Sequence, residues 1–317
     1  MSERSRPAVP SSAGRSPADP GAPVLGLVGL GSMGGGMAAS LLRAGFATHG
    51  FDVDPASVAR LVALGGRGGS LAEVAAALDV LVVVVVNAGQ LENVLFGADG
   101  AAARLRPGSL VIGCPTVAPE VAQRVEARLA GHDLLYLDAP ISGGAAKAAE
   151  GALTMMVSGI PAAMAAARPV LDAMATTVFH LGDAAGPASA MKIVNQLLAG
   201  VHIAAAAEAM AFGLKQGIAP AKTLEVISQC AGTSWMFENR GPHIAEGDYT
   251  PRSAVDIFIK DLGIVTDTAR EGRLPVPLAA AALQQFVAAG GMGLGREDDA
   301  AVAKVYARAA GLTLPGD

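Results

Sequence analysis

The chain has 317 residues, of which 52% are hydrophobic and 16% are charged, and its formal net charge is -5. This composition supplies enough apolar side chains for a large core and excludes a mainly disordered chain, and the length is typical of two domains. A slightly acidic chain lacks the positive charge that binding to a phosphate backbone requires, so we expect no nucleic-acid partner.

The first part of the chain alternates short apolar runs with longer Ala- and Leu-rich segments. Residues 1–22 precede this pattern, are rich in Ser, Pro, Arg and Ala, and are predicted to form a disordered tail. The runs that predict strands are residues 24–28, 47–51, 81–86, 110–113, 134–137, 153–157 and 177–179. Helices are predicted after the first run to about residue 44, and at residues 55–64, 71–77, 117–130 and 162–174. This alternation predicts βαβ units and a Rossmann-type, doubly wound parallel sheet over residues 23–186.

From residue 187 onward the strand pattern is absent. Residues 187–216 show one long apolar helix pattern, and the remainder reads as helices separated by glycines. We predict an all-α C-terminal domain over residues 187–317, with the long helix joining the two domains. The small side chains of residues 204–207 in that helix would let a second subunit approach closely.

Cysteine content and hydropathy predict where the protein resides. Cys114 and Cys230 are too few for a disulfide framework, which fits a reducing cytoplasm. The longest strongly apolar run, residues 80–86, is far shorter than the about 20 residues that a membrane helix needs. We therefore predict a soluble cytoplasmic protein with no membrane partner. The five histidines and two cysteines show no metal-ligand spacing, so we predict no metal site.

The first candidate site is a glycine-rich turn between a predicted strand and a predicted helix. It consists of Gly29, Leu30, Gly31, Ser32, Met33 and Gly34. A Cβ atom at Gly29 or Gly31 would block the approach of a pyrophosphate to the backbone, and the N-terminus of the helix supplies N–H donors. Asp52 ends the next strand, near the expected spacing of about 20 residues, where a carboxylate accepts the ribose hydroxyls of NAD and repels the 2′-phosphate of NADP. The pattern predicts NAD binding, and the neighbouring Asp54, which precedes a proline, is predicted to cap a helix.

Two further stretches carry candidate chemistry. Ser142, Gly143 and Gly144 follow a predicted strand and form either a nest for a carboxylate or a plain glycine turn. Lys192 lies in the long helix, and Asn195 and Gln196 follow it by three and four residues, so all three share one helical face. A partly buried lysine amine can lose its proton and act as a base, and a lysine that extends to the surface is the alternative.

These three stretches, in this order, resemble the β-hydroxyacid dehydrogenase family, which includes 3-hydroxyisobutyrate, tartronate semialdehyde and 6-phosphogluconate enzymes. The resemblance covers residues 23–307 and is greatest to the L-threonate dehydrogenase branch, on residues 196–210, 234–240, 247–256 and 297–299. It implies that Lys192 is the general acid/base. It also implies that Asn87, Thr116 and Lys260 contact the cofactor together with the glycine turn, and that residues 142–144 bind the substrate. Many members carry Asn four residues after the lysine, where this chain has Gln196, so either Asn195 or Gln196 is the second polar substrate contact.

The resemblance further implies the reaction and the assembly. We expect NAD-dependent oxidation of L-threonate to 2-dehydro-L-erythronate by a homodimer or homotetramer whose helical domain binds the substrate and mediates association. A 3-hydroxyisobutyrate or 2-hydroxy-3-oxopropionate (tartronate semialdehyde) dehydrogenase is the alternative within the family. A non-catalytic cofactor-binding module or an imine reductase would usually lack the lysine that this chain has at position 192.

Overall fold

A computed structural model describes residues 22–316, so the predicted tail lies outside the described residues except for Ala22. The first lobe, residues 22–186, is built on a five-stranded sheet. Its strands are β1 (Leu25–Val28), β2 (Thr48–Phe51), β3 (Val80–Val83), β4 (Leu110–Gly113) and β5 (Leu135–Asp138). They are all parallel, in the order β2-β1-β3-β4-β5, which confirms the predicted sheet. Because the strand order reverses between β1 and β3, a ligand crevice is expected at their carboxyl ends.

Helices on both sides of this sheet connect its strands. They are α1 (Ser32–Arg43), α2 (Pro55–Ala63), α3 (Leu71–Val74), α4 (Ala88–Phe96) and α5 (Pro119–Ala130), with a 3-10 turn at Ala75–Ala77. The helix predicted over residues 71–77 therefore divides into two shorter elements. α4 is not predicted from the sequence, which gives no helix between the strands at residues 81–86 and 110–113. The first of these strands is shorter than predicted, since β3 ends at Val83, and the Asn87 side chain caps α4.

A second, three-stranded sheet completes the first lobe. Its strands are β6 (Ile141–Ser142), β7 (Leu153–Val157) and β8 (Ala175–His180), and its helices are α6 (Gly144–Glu150) and α7 (Pro161–Met174). β7 pairs antiparallel with β6 and parallel with β8. The strands predicted near residues 153 and 177 therefore do not extend the parallel sheet. A single antiparallel bridge between Asp138 and Ser158 joins the two sheets.

The second lobe, residues 187–316, is helical, as predicted. It contains α8 (Pro187–Lys215), α9 (Pro220–Ile227), α10 (Trp235–Glu246), α11 (Val255–Glu271), α12 (Pro277–Gly291) and α13 (Ala303–Ala310), with a 3-10 turn at Asp299–Val302. α8 packs against each of the other five helices. Ile203 of α8, Phe258 of α11 and Phe286 of α12 are buried together in the core of this lobe.

The long helix α8 is apolar because it is the central helix of this lobe. Its length and its mean hydropathy of 1.7 would also suit a membrane span, but half of that apolar stretch is buried inside the chain. A search for uninterrupted apolar runs misses this helix because polar residues such as Lys192 and His202 interrupt it. Ala204, Ala206 and Ala207 are buried against other helices of the same chain, so they are not available to a second subunit. Ala205 is exposed, so of these four residues it is the one that a second subunit could approach.

Candidate active site

The three glycines of the turn after β1 have different surroundings. Gly29 has φ +90°, and a Cβ atom there would lie 2.2 Å from the Val84 carbonyl oxygen. A Cβ atom at Gly34 would lie 1.8 Å from the carbonyl oxygen of Gly29. At Gly31 a Cβ atom would meet no heavy atom within 4 Å. The packing of the protein itself therefore requires glycine at position 29, which corrects the prediction that a pyrophosphate requires it. Of these three glycines, only Gly31 borders open space of the kind that a ligand would fill.

The N-terminus of α1 is open to an anion. Gly31 is its N-cap residue, no side chain caps this end, and the first turn holds no acidic residue. The first N–H groups of a helix have no partner within the helix, and they carry the positive end of the helix dipole. Ser32 and Met33 begin the helix here, so the predicted contacts of the glycine turn share one exposed terminus.

Asp52 lies beside this turn at the end of β2. Its Oδ2 accepts a hydrogen bond from the Leu30 amide at 2.6 Å, and its Oδ1 accepts one from the Asp54 amide at 2.8 Å. Asp54 instead caps α2 by accepting hydrogen bonds from Ala56 and Ser57, as predicted. Of the two carboxylates, Asp52 is therefore the one fixed next to the glycine turn.

The remaining predicted cofactor contacts follow the neighbouring strands. Asn87 stands after β3, where its side-chain oxygen accepts a hydrogen bond from the Gln90 amide at 2.9 Å. Thr116 follows β4, and its carbonyl oxygen accepts a hydrogen bond from Lys260 Nζ at 3.4 Å. Because the carboxyl ends of parallel strands share one edge, the structure brings the glycine turn, Asp52, Asn87 and Thr116 to one side of the sheet. Lys260 reaches this edge from α11 of the second lobe.

Asp138, at the end of β5, fixes the start of α8. Its carboxylate accepts hydrogen bonds from the Gly186 amide at 3.0 Å, the Ser189 amide at 2.9 Å and the Ser189 hydroxyl at 2.8 Å. Ser158 Oγ accepts a further hydrogen bond from the Ala188 amide at 3.0 Å. Burial raises the pKa of the Asp138 carboxyl, and the hydrogen bonds from Ser189 oppose that change. Side chains of the first lobe thus satisfy N–H groups that the first turn of α8 leaves without partners.

Lys192 lies one helical turn beyond Ser189 and points back toward the first lobe. Its Nζ donates a hydrogen bond to the carbonyl oxygen of Ile141 at 2.8 Å, and the residue is only 8% exposed. Burial lowers the pKa of the Lys192 ammonium from 10.5 to about 8; the charge of Asp261 acts against this change and that of Lys260 adds to it. A surface lysine is thereby excluded. An amine with this pKa is partly neutral near physiological pH and can accept a proton.

The predicted substrate loop adjoins the lysine. Ser142 directly follows Ile141 and is half-buried. Gly143 and Gly144 have φ values of +138° and +79°, which favour glycine, and Gly143 is the N-cap residue of α6. The tip of Lys192 therefore lies next to the residues predicted to hold a carboxylate.

Asn195 and Gln196 form a chain of hydrogen bonds with residues of α11. Asn195 Nδ2 donates to Gln196 Oε1 at 2.9 Å, and Gln196 Nε2 donates to Asp261 Oδ2. Asp261 Oδ1 also pairs with Lys260 Nζ. Gln196 and Asp261 are buried, whereas Asn195 is half-buried. Sequence reasoning missed Asp261, although a carboxylate on the same helical stripe as Phe258, Leu262 and Val265 was a signal.

Comparison with known proteins places this geometry in a family. Residues 24–182 match the NAD binding domain of 6-phosphogluconate dehydrogenase, and residues 186–306 match the NAD-binding domain of NADP-dependent 3-hydroxyisobutyrate dehydrogenase. L-threonate dehydrogenase of Cupriavidus necator is 55% identical over 92% of this chain and 98% of its own length. The chain belongs to the 3-hydroxyisobutyrate dehydrogenase-related (β-hydroxyacid dehydrogenase) family.

Two other relatives support the same membership. L-threonate dehydrogenase of Escherichia coli K12 is 50% identical over 92% of this chain and 96% of its own. The crystal structure of 3-hydroxyisobutyrate dehydrogenase from Salmonella typhimurium is 52% identical, with a TM-score of 0.85, and covers 89% of this chain and 99% of its own. Since these relatives carry two different substrate names at similar identity, they establish the class of enzyme rather than its substrate. This β-hydroxyacid dehydrogenase is an NAD-dependent oxidoreductase.

The described residues of the dehydrogenase fit that cofactor. Pyrophosphate and adenosine ribose require three features that are present here: open space at Gly31, an uncapped helix N-terminus and the Asp52 carboxylate at the end of β2.

The described residues offer no cysteine or metal chemistry at this edge. Cys114 lies buried at the end of β4, where burial raises the pKa of its thiol to about 12, so it remains a thiol. Residues 22–316 hold no group of three or more His, Cys, Asp or Glu side chains arranged to bind a metal ion.

Proposed function

We propose that this β-hydroxyacid dehydrogenase oxidises L-threonate at C2 to 2-dehydro-L-erythronate, with Lys192 as general base. The observation that carries the proposal is the buried Lys192 amine, hydrogen-bonded to the Ile141 carbonyl oxygen beside the substrate loop. The substrate assignment comes from the two relatives named L-threonate dehydrogenase. Since the chain also matches a structure named for 3-hydroxyisobutyrate, oxidation of that acid, or conversion of 2-hydroxy-3-oxopropionate, is the second candidate.

The cofactor contacts are assigned by their positions at the sheet edge. The N-terminus of α1, reached across Gly31, would hold the pyrophosphate, and Asp52 would accept the ribose hydroxyls and disfavour NADP. Asn87, Thr116 and Lys260 would bound the crevice further along the same edge. When bound, NAD supplies the acceptor for the hydride that leaves the substrate carbon.

The chain's own residues supply the proton transfer and the orientation. Neutral Lys192 takes the proton of the substrate hydroxyl as the carbon–hydrogen bond breaks, and it becomes an ammonium ion. The Ile141 carbonyl oxygen then accepts a hydrogen bond from that ammonium. In the reverse direction the same ammonium returns the proton to the carbonyl oxygen of the product. Its depressed pKa brings both protonation states within reach near neutral pH.

The substrate carboxylate is assigned to the loop after β5. The Ser142 hydroxyl and the amides of Gly143 and Gly144 would donate hydrogen bonds to it, since successive backbone N–H groups in such turns form an anion-binding nest. Asn195 or Gln196 would orient a substrate hydroxyl from the other side. Because Gly143 and Gly144 have positive φ values, a side chain at either position would strain this loop.

We also propose the domain roles and the assembly. Residues 23–186 form the NAD-binding domain, and residues 187–317 form the substrate domain of a cytoplasmic homodimer or homotetramer. Met191, Val194, Leu198 and Phe212 are exposed on one side of α8, together with Ala205, and this face is the association surface that we propose. Light scattering should give two or four times the chain mass, and Leu198→Glu should lower it; a monomeric wild-type chain would refute this assembly.

A substrate panel tests the function. We follow NADH formation by its absorbance and expect the purified enzyme to react faster with L-threonate than with 3-hydroxyisobutyrate or D-glycerate. The reaction should also be faster with NAD than with NADP.

A substitution of the lysine tests its role. Lys192→Met should abolish turnover while NADH still binds. Activity with 3-hydroxyisobutyrate but none with L-threonate would refute the substrate and retain the class of reaction. Turnover by Lys192→Met at the wild-type rate would refute the role of the lysine, and no activity with any hydroxy acid would favour a non-catalytic module.

A further inference from the structure

The carboxylate of Asp261 lies at the junction of the substrate and cofactor sides of the site. It is 1% exposed and accepts hydrogen bonds from two side chains, Gln196 on α8 and Lys260 on its own helix. Lys260 also donates to the Thr116 carbonyl oxygen of the first lobe at 3.4 Å. One buried group therefore contacts the residue beside Lys192 and the residue that spans the two lobes.

The chemistry of a carboxylate determines how Gln196 is oriented. An ionised carboxylate can only accept hydrogen bonds, so the Gln196 amide must turn its nitrogen toward Asp261. Its oxygen then faces the opposite way, where Asn195 Nδ2 donates to it at 2.9 Å. The hydrogen bonds thus all point the same way: Asn195 donates to Gln196, and Gln196 donates to Asp261. Without this acceptor, the Gln196 amide could exchange the positions of its oxygen and nitrogen, because nothing would favour one orientation over the other.

We propose that Asp261 is a positioning residue, which orients the Gln196 side-chain amide for the substrate and holds Lys260 against the Thr116 loop. The proposal rests on the proposed function in that Gln196 faces the bound acid beside Lys192. It also makes Gln196, held at both ends by hydrogen bonds, the second polar contact, with Asn195 as its support. Asp261 itself does not touch the reacting atoms.

Asp261→Asn is the first test, because an Asn side chain has one acceptor oxygen and one donor nitrogen. It can accept from Gln196 or from Lys260, and its nitrogen then opposes the other donor. Breaking one hydrogen bond of this charge-assisted kind should lower kcat/KM for L-threonate by about tenfold to a hundredfold. We expect the loss mainly as a higher KM for L-threonate. Unchanged kinetic constants in the folded variant would overturn the proposal.

The pH profile separates positioning from general destabilisation. The charged groups that act on Lys192 are Asp261, which favours the ammonium, and Lys260, which disfavours it. Asp261→Asn should therefore move the acid limb of kcat/KM to lower pH, and Asp261→Glu, which keeps the charge, should leave it near the wild-type position. Asp138→Asn is the matched control, since Asp138 is equally buried but exerts no charge effect on Lys192. Equal shifts in Asp261→Asn and Asp138→Asn would overturn the proposal.

A double-mutant cycle tests whether Asp261 acts through Gln196. If it does, Gln196→Met and Asp261→Asn combined should lower kcat/KM by much less than the product of the two single losses. Losses that multiply would overturn the proposal. The circular dichroism spectrum and thermal midpoint verify that each variant folds. If Asp261→Asn does not fold, Asp261→Glu supplies the test: its longer side chain displaces the carboxylate from Gln196, so the KM for L-threonate should rise while the acid limb stays in place, and an unchanged KM would overturn the proposal. An inactive Lys192→Met with an unaltered Asp261→Asn would refute this inference alone, whereas an active Lys192→Met would refute the proposed function.

Discussion

Replacing Lys192 by Met should make the folded protein more stable while it abolishes turnover. The pKa of the buried ammonium falls from 10.5 to about 8, and each unit of difference corresponds to about 1.4 kcal/mol. Keeping the lysine protonated in the folded state near pH 7 therefore costs roughly 3 kcal/mol. Met lacks this cost, but it leaves the Ile141 carbonyl oxygen without its donor, which offsets about 1 kcal/mol. The expected net gain in the free energy of unfolding is about 2 kcal/mol.

The pH dependence of that gain is the more demanding test. Between about pH 8 and pH 10.5 the unfolded chain binds more protons at Lys192 than the folded chain does. Wild-type stability therefore rises with pH through this window, and the advantage of Lys192→Met disappears above it. Urea unfolding of both proteins at pH values inside and below the window measures this, with Lys222→Met as an exposed control expected to change stability by less than about 1 kcal/mol. A Lys192→Met protein that is less stable than wild type near pH 7, or a difference independent of pH, would refute the reasoning.

Three further predictions concern the cofactor side and the cysteines. Gly34→Ala should lower the thermal midpoint because its Cβ atom would meet the backbone, whereas Gly31→Ala should keep the midpoint and weaken NADH binding; equal effects in both assays would contradict this assignment. Asp52→Asn should lower the ratio of kcat/KM for NAD to that for NADP by about tenfold or more, since the charge that repels the 2′-phosphate is lost, and an unchanged ratio would argue against this role. A maleimide should modify exposed Cys230 quickly and buried Cys114 only on unfolding, as mass spectrometry of the native protein would record; rapid labelling of both would contradict the described burial.

The architecture was largely predictable because it depends on short-range patterns. Buried parallel strands read as uninterrupted apolar runs, and glycines and prolines separate them from the helices. Two helices were not predicted: α4, which has nine residues and begins at Ala88 just after the apolar run of residues 81–86, and α6, which has only seven residues. The separate sheet of β6, β7 and β8 depends on a strand of two residues, which carries no pattern of its own.

The residue types of the site were predictable from the sequence, but the contacts that make each residue necessary were less so. The sequence predicts Lys192 with a surface lysine as the alternative, and only the packing of α8 on the first lobe decides between them. Gly29 is needed for a contact with Val84, which lies in another strand–helix connection and has no sequence signal. The Asp138 cap on α8 and the Asp261 contact with Gln196 join residues separated by 51 and 65 positions. Such pairs form only through the tertiary fold.

The pH dependence of kcat/KM for L-threonate with NAD tests the central claim most directly, because it reports the ionisation of the free enzyme. If Lys192 must be neutral to accept the proton, the rate constant should rise with pH and level off above a pKa of about 8. Lys192→Met should show no turnover at any pH in this range. A wild-type profile that is flat through this range, or a Lys192→Met enzyme that oxidises L-threonate at the wild-type rate, would contradict the assignment of this amine as the base.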